Sequence, residues 1–128
     1  MDIELYLQKD RFAEHSGIEL LHVGAGRATA RLKLQPYHLN AYGTLHGGAV
    51  FTLADFAFAA ACNSHGTIAV GINATMSYFK AVDEGEIIAD AEEVSLGSKL
   101  GSYVVKIYHR KEVVAIFQGM AYRKKEKL

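Results

Sequence analysis

The apolar positions of this chain form short alternating runs around one long continuous run. Residues 27–35 show the alternation, because Ala28, Ala30 and Leu32 are separated by arginine and threonine. A period of two is typical of a strand that lays one face against a core. The same reasoning predicts five further strands, at residues 18–24, 68–80, 86–96, 101–109 and 113–123.

The long run, roughly residues 46–63, predicts a helix that stops near Asn63 and Gly66. Because this helix is apolar on nearly every side, it should be buried all round, partly by its own sheet and partly by a second copy of the chain. Two strands, one helix and four strands do not alternate, so the predicted fold class is α+β with an antiparallel sheet. A short amphipathic helix is predicted within residues 1–12, and a flexible basic tail over residues 124–128.

Composition narrows the possible partners and compartments. The length of 128 residues predicts a single domain, residues 1–128. Fourteen basic and 14 acidic residues balance, so no overall field favours nucleic acid or a membrane surface. The first residues lack the pattern of a signal peptide, and the long apolar run is too short to span a bilayer. A cytoplasmic protein is therefore expected.

Asp55 is the only formal charge in the stretch GTLHGGAVFTLADFAFAAACNSHG, residues 43–66. A carboxylate in such surroundings must be hydrogen-bonded, reached by solvent or partly protonated. One interpretation is a structural aspartate satisfied by a hydroxyl or a backbone N–H group. The other is a general base or nucleophile with a displaced pKa.

The helix opens with His46, Gly47 and Gly48. Free N–H groups at a helix start carry the positive end of the dipole and suit a developing oxyanion, although glycines there also allow a tight turn. Asp55 lies eight residues beyond Gly47, which is roughly 12 Å along a helix axis. One chain cannot bring both groups to one carbonyl, whereas two antiparallel helices from two chains could.

The stretch HLNAYGTLHGGAVFTLADFAFAAACNSHG, residues 38–66, resembles the motif region of the PaaI-like (phenylacetyl-CoA) acyl-CoA thioesterases, which have the hotdog fold. The likeness extends over about residues 10–123. It implies a sheet wrapped around one helix, a homodimer that forms the active site and pairs into a homotetramer, and hydrolysis without metal or organic cofactor. The motif positions are met by Asn40, Gly43, His46, Gly47, Gly48, Leu53, Ala54, Asp55, Asn63 and Gly66.

The resemblance also implies roles for the motif residues. Asp55 would activate water or attack the thioester carbonyl, and the Gly47 N–H of the partner subunit, with Gly48 beside it, would polarise the carbonyl oxygen. Asn40 and His46 would position the carbonyl or the water. Some relatives carry a Ser or Thr helper on the next strand, and here that helper is either Asn73 or absent.

Further candidates come from the needs of an acyl-CoA substrate. Phe58 is a candidate for the acyl site, Tyr42 for its entrance and Lys99 for the CoA phosphates, although each also fits ordinary core or surface. No metal site is expected, because the histidines and Asp55 lack a ligand spacing. A hotdog dehydratase or hydratase and a non-catalytic acyl-CoA binding module stay open beside the predicted thioesterase for aromatic or medium-chain acyl groups.

Overall fold

A computed structural model describes residues 1–128 and shows a six-stranded antiparallel sheet curved around one long helix. The strand order in the sheet is β1-β2-β4-β5-β6-β3. This arrangement confirms the predicted α+β hotdog fold. The elements are α1 (Ile3–Leu7), α2 (Arg11–His15), β1 (Ile18–Gly24), β2 (Arg27–Lys33), a 3-10 turn (Pro36–His38), α3 (Gly47–Asn63), β3 (Thr67–Tyr78), β4 (Glu86–Leu96), β5 (Leu100–His109) and β6 (Glu112–Lys127).

Small side chains on the inner face of the sheet bring α3 close to the strands. Ala28 and Ala30 of β2 lie opposite Ala91 and Ala89 of β4, and all four are fully buried. Larger side chains on the neighbouring strands, such as Phe117 of β6, fill the remaining space against the helix. Alternation of small and large residues gives the dense packing that protein interiors require.

The short N-terminal helix predicted within residues 1–12 is present as α1, but it ends at Leu7, and a second short helix, α2, begins at Arg11. Asp10 lies between α1 and α2, and its carboxylate accepts a hydrogen bond from the Ala13 N–H at 2.9 Å. An aspartate in this position caps a new helix. The capping interaction therefore starts α2 where the apolar pattern alone suggested continuity.

The flexible tail predicted over residues 124–128 is also wrong. Strand β6 continues to Lys127, which pairs with Thr67 of β3. The Leu128 N–H donates to the Gly66 carbonyl at 3.2 Å. Backbone pairing with β3 holds this segment in place. The lysine-rich composition that suggested a flexible tail is therefore a poor guide here.

Helix α3 has one exposed face in the single chain, and this is the part of its surface that a second copy of the chain is expected to cover. Gly48 and Asp55 are exposed, and Thr52 and Ala59 are half-buried. Their spacing of four, three and four residues places them in one line along the helix. We call these four residues the exposed stripe. None of the three α-helices is long and apolar enough to cross a membrane.

Strand β3 forms one edge of the sheet and is exposed on both faces. Every residue from position 70 to position 75 is exposed, including the apolar Val70 and Ile72. The strand pairs with β6 on one side only, with an irregularity between Gly71 and Asn73. An exposed apolar edge strand of this kind is a template for pairing with another chain.

Candidate active site

Asp55 lies on the exposed stripe and makes no hydrogen bond within its own chain. The nearest hydroxyl on the stripe, Thr52 Oγ1, donates instead to the Gly48 carbonyl at 2.8 Å. Partial burial raises the pKa of the Asp55 carboxyl above its ordinary value, and the negative charge of Asp10 raises it further. A carboxyl that solvent reaches, that has no partner within its own chain and that has a raised pKa matches the general-base interpretation, and the chain supplies no partner for the structural one.

The first turn of α3 leaves one backbone donor free. The Gly48 N–H donates to Nδ1 of His46 at 2.8 Å, and the N–H groups of Ala49 and Val50 donate to the His46 carbonyl. The Gly47 N–H has no intrahelical acceptor and no side-chain acceptor in this chain. The structure thus separates the two glycines, because only Gly47 keeps a free N–H for a ligand.

His46 is the N-cap of α3, and this role fixes its tautomer. Since Nδ1 accepts from the Gly48 N–H, a neutral ring carries its proton on Nε2. The imidazole is exposed, so Nε2–H is available to a ligand beside Gly47. A Cβ atom at Gly48 would lie 2.9 Å from Nδ1 of His46, which explains the need for glycine there.

Tyr78 holds the other side of the Gly47 peptide. Its hydroxyl donates to the Gly47 carbonyl at 3.0 Å. Burial raises the pKa of the Tyr78 phenol, so the hydroxyl stays protonated and remains a donor. This contact joins the end of β3 to the start of α3 and orients the Gly47 peptide unit.

Asn40 closes the loop before α3. Its Oδ1 accepts from the N–H groups of Tyr42 and Thr44 at 3.0 and 3.1 Å, and its Nδ2 donates to Thr44 Oγ1 at 3.0 Å. The amide of Asn40 is therefore used within the loop in this chain. Its direct contribution here is to fix the turn that leads into His46.

His38 is a structural residue that the sequence pattern did not reveal. It is buried, its Nδ1 accepts from the Gln35 N–H at 2.9 Å, and its Nε2 lies 2.7 Å from the Ser16 carbonyl. The His38 carbonyl in turn accepts from the His46 N–H at 2.8 Å. An isolated histidine in a loop carries no periodic signal, so only the long-range contacts identify its role.

Two cavities flank the segment His46–Gly48. The first, which we call the Tyr78 pocket, has a volume of about 270 Å³ and is mostly apolar. The second, which we call the Tyr37 groove, has a volume of about 820 Å³ and lies against α2. Gly47 lines the pocket, whereas His46 and Gly48 line the groove. The start of α3 therefore lies at the junction of the two spaces, with Gly47 on the side of the pocket.

Four other predicted residues lie away from this junction in the single chain. Phe58 is 2% exposed and packs in the core against Phe117 and Tyr103, with ring centroids 5.5 and 5.6 Å apart. It belongs to the core rather than to either cavity. Asn73, Tyr42 and Lys99 are exposed and line neither the Tyr78 pocket nor the Tyr37 groove.

Within one chain, Asp55 and Gly47 stay on the same helix, roughly 12 Å apart along its axis. No carboxylate faces the Gly47 N–H from its own chain, since neither cavity is lined by Asp or Glu. The acid is therefore exposed and the amide donor half-buried, and the two groups are not together within one chain. No group of three or more His, Cys, Asp or Glu side chains could hold a metal ion.

Comparison with known families agrees with the motif at the start of α3. A family model described as the thioesterase superfamily matches residues 42–116, from the loop before α3 into β6. The chain belongs to the thioesterase superfamily. It is accordingly a thioester hydrolase, and the predicted resemblance to the PaaI-like thioesterases is confirmed by its relatives.

This thioesterase is 32% identical over 118 residues to acyl-coenzyme A thioesterase PaaI of Escherichia coli K12, covering 91% of the chain and 84% of that protein. It is 30% identical over 105 residues to human acyl-coenzyme A thioesterase 13, covering 80% of the chain and 75% of that protein. The solved structure of the E. coli PaaI protein from the phenylacetic acid degradation operon superposes with a TM-score of 0.94. That superposition has 30% identity and covers 98% of this chain and 93% of that one.

Proposed function

We propose that this thioesterase hydrolyses an acyl-CoA with an aromatic or medium-chain acyl group to the free acid and CoASH. The observation that carries the proposal is the pair of unused groups on α3, the carboxyl of Asp55 with its raised pKa and the free N–H of Gly47. Two relatives named as acyl-coenzyme A thioesterases support the choice of substrate class.

In the proposed reaction the Gly47 N–H donates to the thioester oxygen, and Asp55 of the partner subunit takes a proton from water. The water oxygen bonds to the carbonyl carbon, and negative charge moves to the thioester oxygen beside Gly47. The C–S bond then breaks, and the proton held by Asp55 passes to the leaving sulfur. A donor aimed at the developing oxyanion typically contributes about 10²–10³ to kcat. Direct attack by Asp55 on the carbonyl, followed by hydrolysis of the anhydride, uses the same two groups.

The proposal requires a homodimer, because one chain keeps its acid and its donor apart. Two exposed surfaces support pairing: the apolar edge strand β3 and the exposed stripe of α3. Small residues at Gly48 and Ala59 would let two stripes approach closely. Dimers are proposed to pair further into a homotetramer. The roles predicted for Asn40, Asn73, Tyr42 and Lys99 toward substrate remain proposals within this assembly.

The test is release of free thiol from a panel of acyl-CoAs by the wild type and by Asp55→Asn. We expect kcat to fall at least about 100-fold in the variant, since a general base contributes about 10²–10⁴. Asp2→Asn is the matched control, because the Asp2 side chain makes no capping hydrogen bond and lies far along the chain from α3. Full activity of Asp55→Asn would contradict the mechanism. Absence of thiol release by the wild type from every substrate would favour an acyl-CoA binding module.

A further inference from the structure

Tyr78 and His46 contact opposite ends of one peptide unit. The carbonyl of Gly47 and the N–H of Gly48 belong to the same peptide, at the start of α3. The Tyr78 hydroxyl donates to that carbonyl at 3.0 Å, and the N–H donates to Nδ1 of His46 at 2.8 Å. A peptide oxygen only accepts and a peptide N–H only donates, so the direction of both hydrogen bonds is fixed. The three groups therefore form a chain that runs from the phenol through the peptide to the imidazole.

The backbone at each end of this chain is held without help from the Tyr78 hydroxyl. The N–H of Phe79 donates to the Val114 carbonyl at 2.8 Å, which anchors the end of β3 beside Tyr78. The N–H of His46 donates to the His38 carbonyl, also at 2.8 Å. Loss of the hydroxyl would therefore leave both backbone segments in place. It would change the strength of the hydrogen bond that reaches the imidazole.

Hydrogen bonds in such a chain strengthen one another, because each one polarises the next group. A donor at the Gly47 oxygen draws electron density from the peptide and makes the Gly48 N–H a stronger donor. A strong donor at Nδ1 of His46 keeps the proton off that nitrogen and on Nε2. It also makes Nε2–H itself a stronger donor. His46 is exposed, so Nε2–H is the end of the chain that a ligand can meet.

The surroundings of Tyr78 favour this indirect role over direct contact with a substrate. Its single hydroxyl proton is used in the hydrogen bond to the Gly47 carbonyl. Its ring lies over Gly47, where an added Cβ atom would be 3.4 Å from both Cζ and the hydroxyl oxygen. Burial raises the pKa of the phenol, so the proton stays on the hydroxyl near neutral pH. Tyr78 is therefore a permanent donor to the peptide.

We propose that Tyr78 is a positioning residue, which acts through the Gly47–Gly48 peptide to hold His46 as an Nε2–H donor. The effect on the imidazole follows from the hydrogen bonds within one chain. The effect on hydrolysis rests on the proposed function, with the Nε2–H of His46 donating to the reacting carbonyl or water. Tyr78 itself touches neither the thioester nor the water.

Nuclear magnetic resonance of the histidine ring nitrogens tests the proposal without a substrate, because protonated and unprotonated nitrogens differ widely in chemical shift. The His46 signals are identified by their loss in His46→Asn. At mildly alkaline pH, where histidine rings are neutral, we expect Nδ1 of His46 to be unprotonated and Nε2 protonated in the wild type. In Tyr78→Phe both shifts should move toward those of a free histidine, which samples both tautomers. Unmoved His46 signals in this variant would overturn the proposal.

Tyr108→Phe is the matched control. Tyr108 lies at the end of β5, where it shares a surface with Asp90 and Lys106 and not with the start of α3. This variant should leave the His46 signals and kcat unchanged. Movement of the His46 signals equal to that in Tyr78→Phe would show that they report a general change of the fold, and would overturn the proposal.

A double-mutant cycle tests whether Tyr78 acts on hydrolysis through His46. Tyr78→Phe alone should lower kcat about 2- to 10-fold, the worth of one ordinary hydrogen bond, with KM little changed. His46→Asn keeps a side chain that caps helices and removes the imidazole. In that background Tyr78→Phe should alter kcat less than about twofold. Equal losses in the two backgrounds would mean that Tyr78 acts without His46, and would overturn the proposal.

The two readouts separate failure of this proposal from failure of the proposed hydrolysis. Moved His46 signals without thiol release from any acyl-CoA would support the positioning role and refute the acyl-CoA proposal. Thiol release by the wild type, with His46 signals that do not respond to Tyr78→Phe, would refute the positioning role alone.

Discussion

At the scale of single residues, the chemistry of Asp55 depends on the residues around it and on the lack of a hydrogen-bond donor in its own chain. It stands on a helix face of glycine, alanine and threonine, where no side chain donates a hydrogen bond to it. Partial burial and the charge of Asp10 both raise its pKa. A base needs its ionised form, so activity should be lost as the pH falls through this raised pKa.

Substitution of Asp10 tests that electrostatic coupling. Asp10→Asn removes the neighbouring negative charge and keeps the cap on the Ala13 N–H, since asparagine caps helices as well as aspartate. The pKa of Asp55 should then fall toward its ordinary value, and the acidic limb of the pH profile of kcat/KM should move to lower pH. An unmoved limb in a fully folded variant would show that another group titrates.

The raised pKa of Asp55 also affects the stability of the fold. Catalysis needs the ionised carboxylate, whereas the folded chain is more stable when this carboxyl is protonated. Because the pKa of Asp55 is raised in the folded chain, its ionised form is destabilising above that pKa, and protonation at lower pH removes the penalty. Asp55→Asn should therefore raise the melting temperature near neutral pH and have little effect at acidic pH. Thermal unfolding at both pH values measures this, and a lower melting temperature at neutral pH would contradict it.

At the scale of the helix, the start of α3 allows its key donor to be deleted without breaking the helix. Gly47 is the first residue of α3, a position that tolerates proline, and His46 has φ −61° and ψ 131°, which suits a residue before proline. Gly47→Pro removes the N–H, whereas Gly47→Ala keeps it and places a Cβ atom 3.4 Å from the Tyr78 ring.

We expect Gly47→Pro to lower kcat by about 10²–10³ with unchanged helix content by circular dichroism. Gly47→Ala should retain more of the activity, because its N–H can still donate to the thioester oxygen. Equal loss of activity in the two variants would indicate crowding of the site rather than loss of the donor.

The sequence predicted most of the helices and strands correctly, but it misplaced some of their ends. The alternation in residues 27–35 and the run at 46–63 identified β2 and α3, because their patterns report directly on the core. The break between α1 and α2 and the end of β6 were not predicted. They depend on the Asp10 cap and on backbone pairing with β3, and neither interaction shows in the pattern of apolar residues. The motif made Asp55 and Gly47 candidates, whereas the structure alone shows that His46 occupies the Gly48 N–H and leaves that of Gly47 free.

At the scale of the whole molecule, the proposed site depends on two chains, and this can be tested by mixing. Asp55→Asn and Gly47→Pro each spoil every site of their own homodimer. A mixed dimer would carry one site with both defects and one with neither. Unfolding and refolding an equimolar mixture should therefore restore roughly a quarter of the wild-type activity, since half the dimers are mixed and each has one intact site of two. No recovery, with mixed dimers present by native mass spectrometry, would place the acid and the donor in the same chain.

Measurement of all these activities benefits from the position of the only cysteine. Cys62 is buried near the end of α3, its Sγ donates to the Ala59 carbonyl at 3.6 Å, and burial raises the pKa of the thiol to about 12. Disulfide reagents react with thiolates, and near pH 8 almost none is present on this side chain. A chromogenic disulfide added to the reaction therefore detects only the CoASH that is released. Hydrolysis can be followed continuously without alkylating the enzyme or replacing its cysteine.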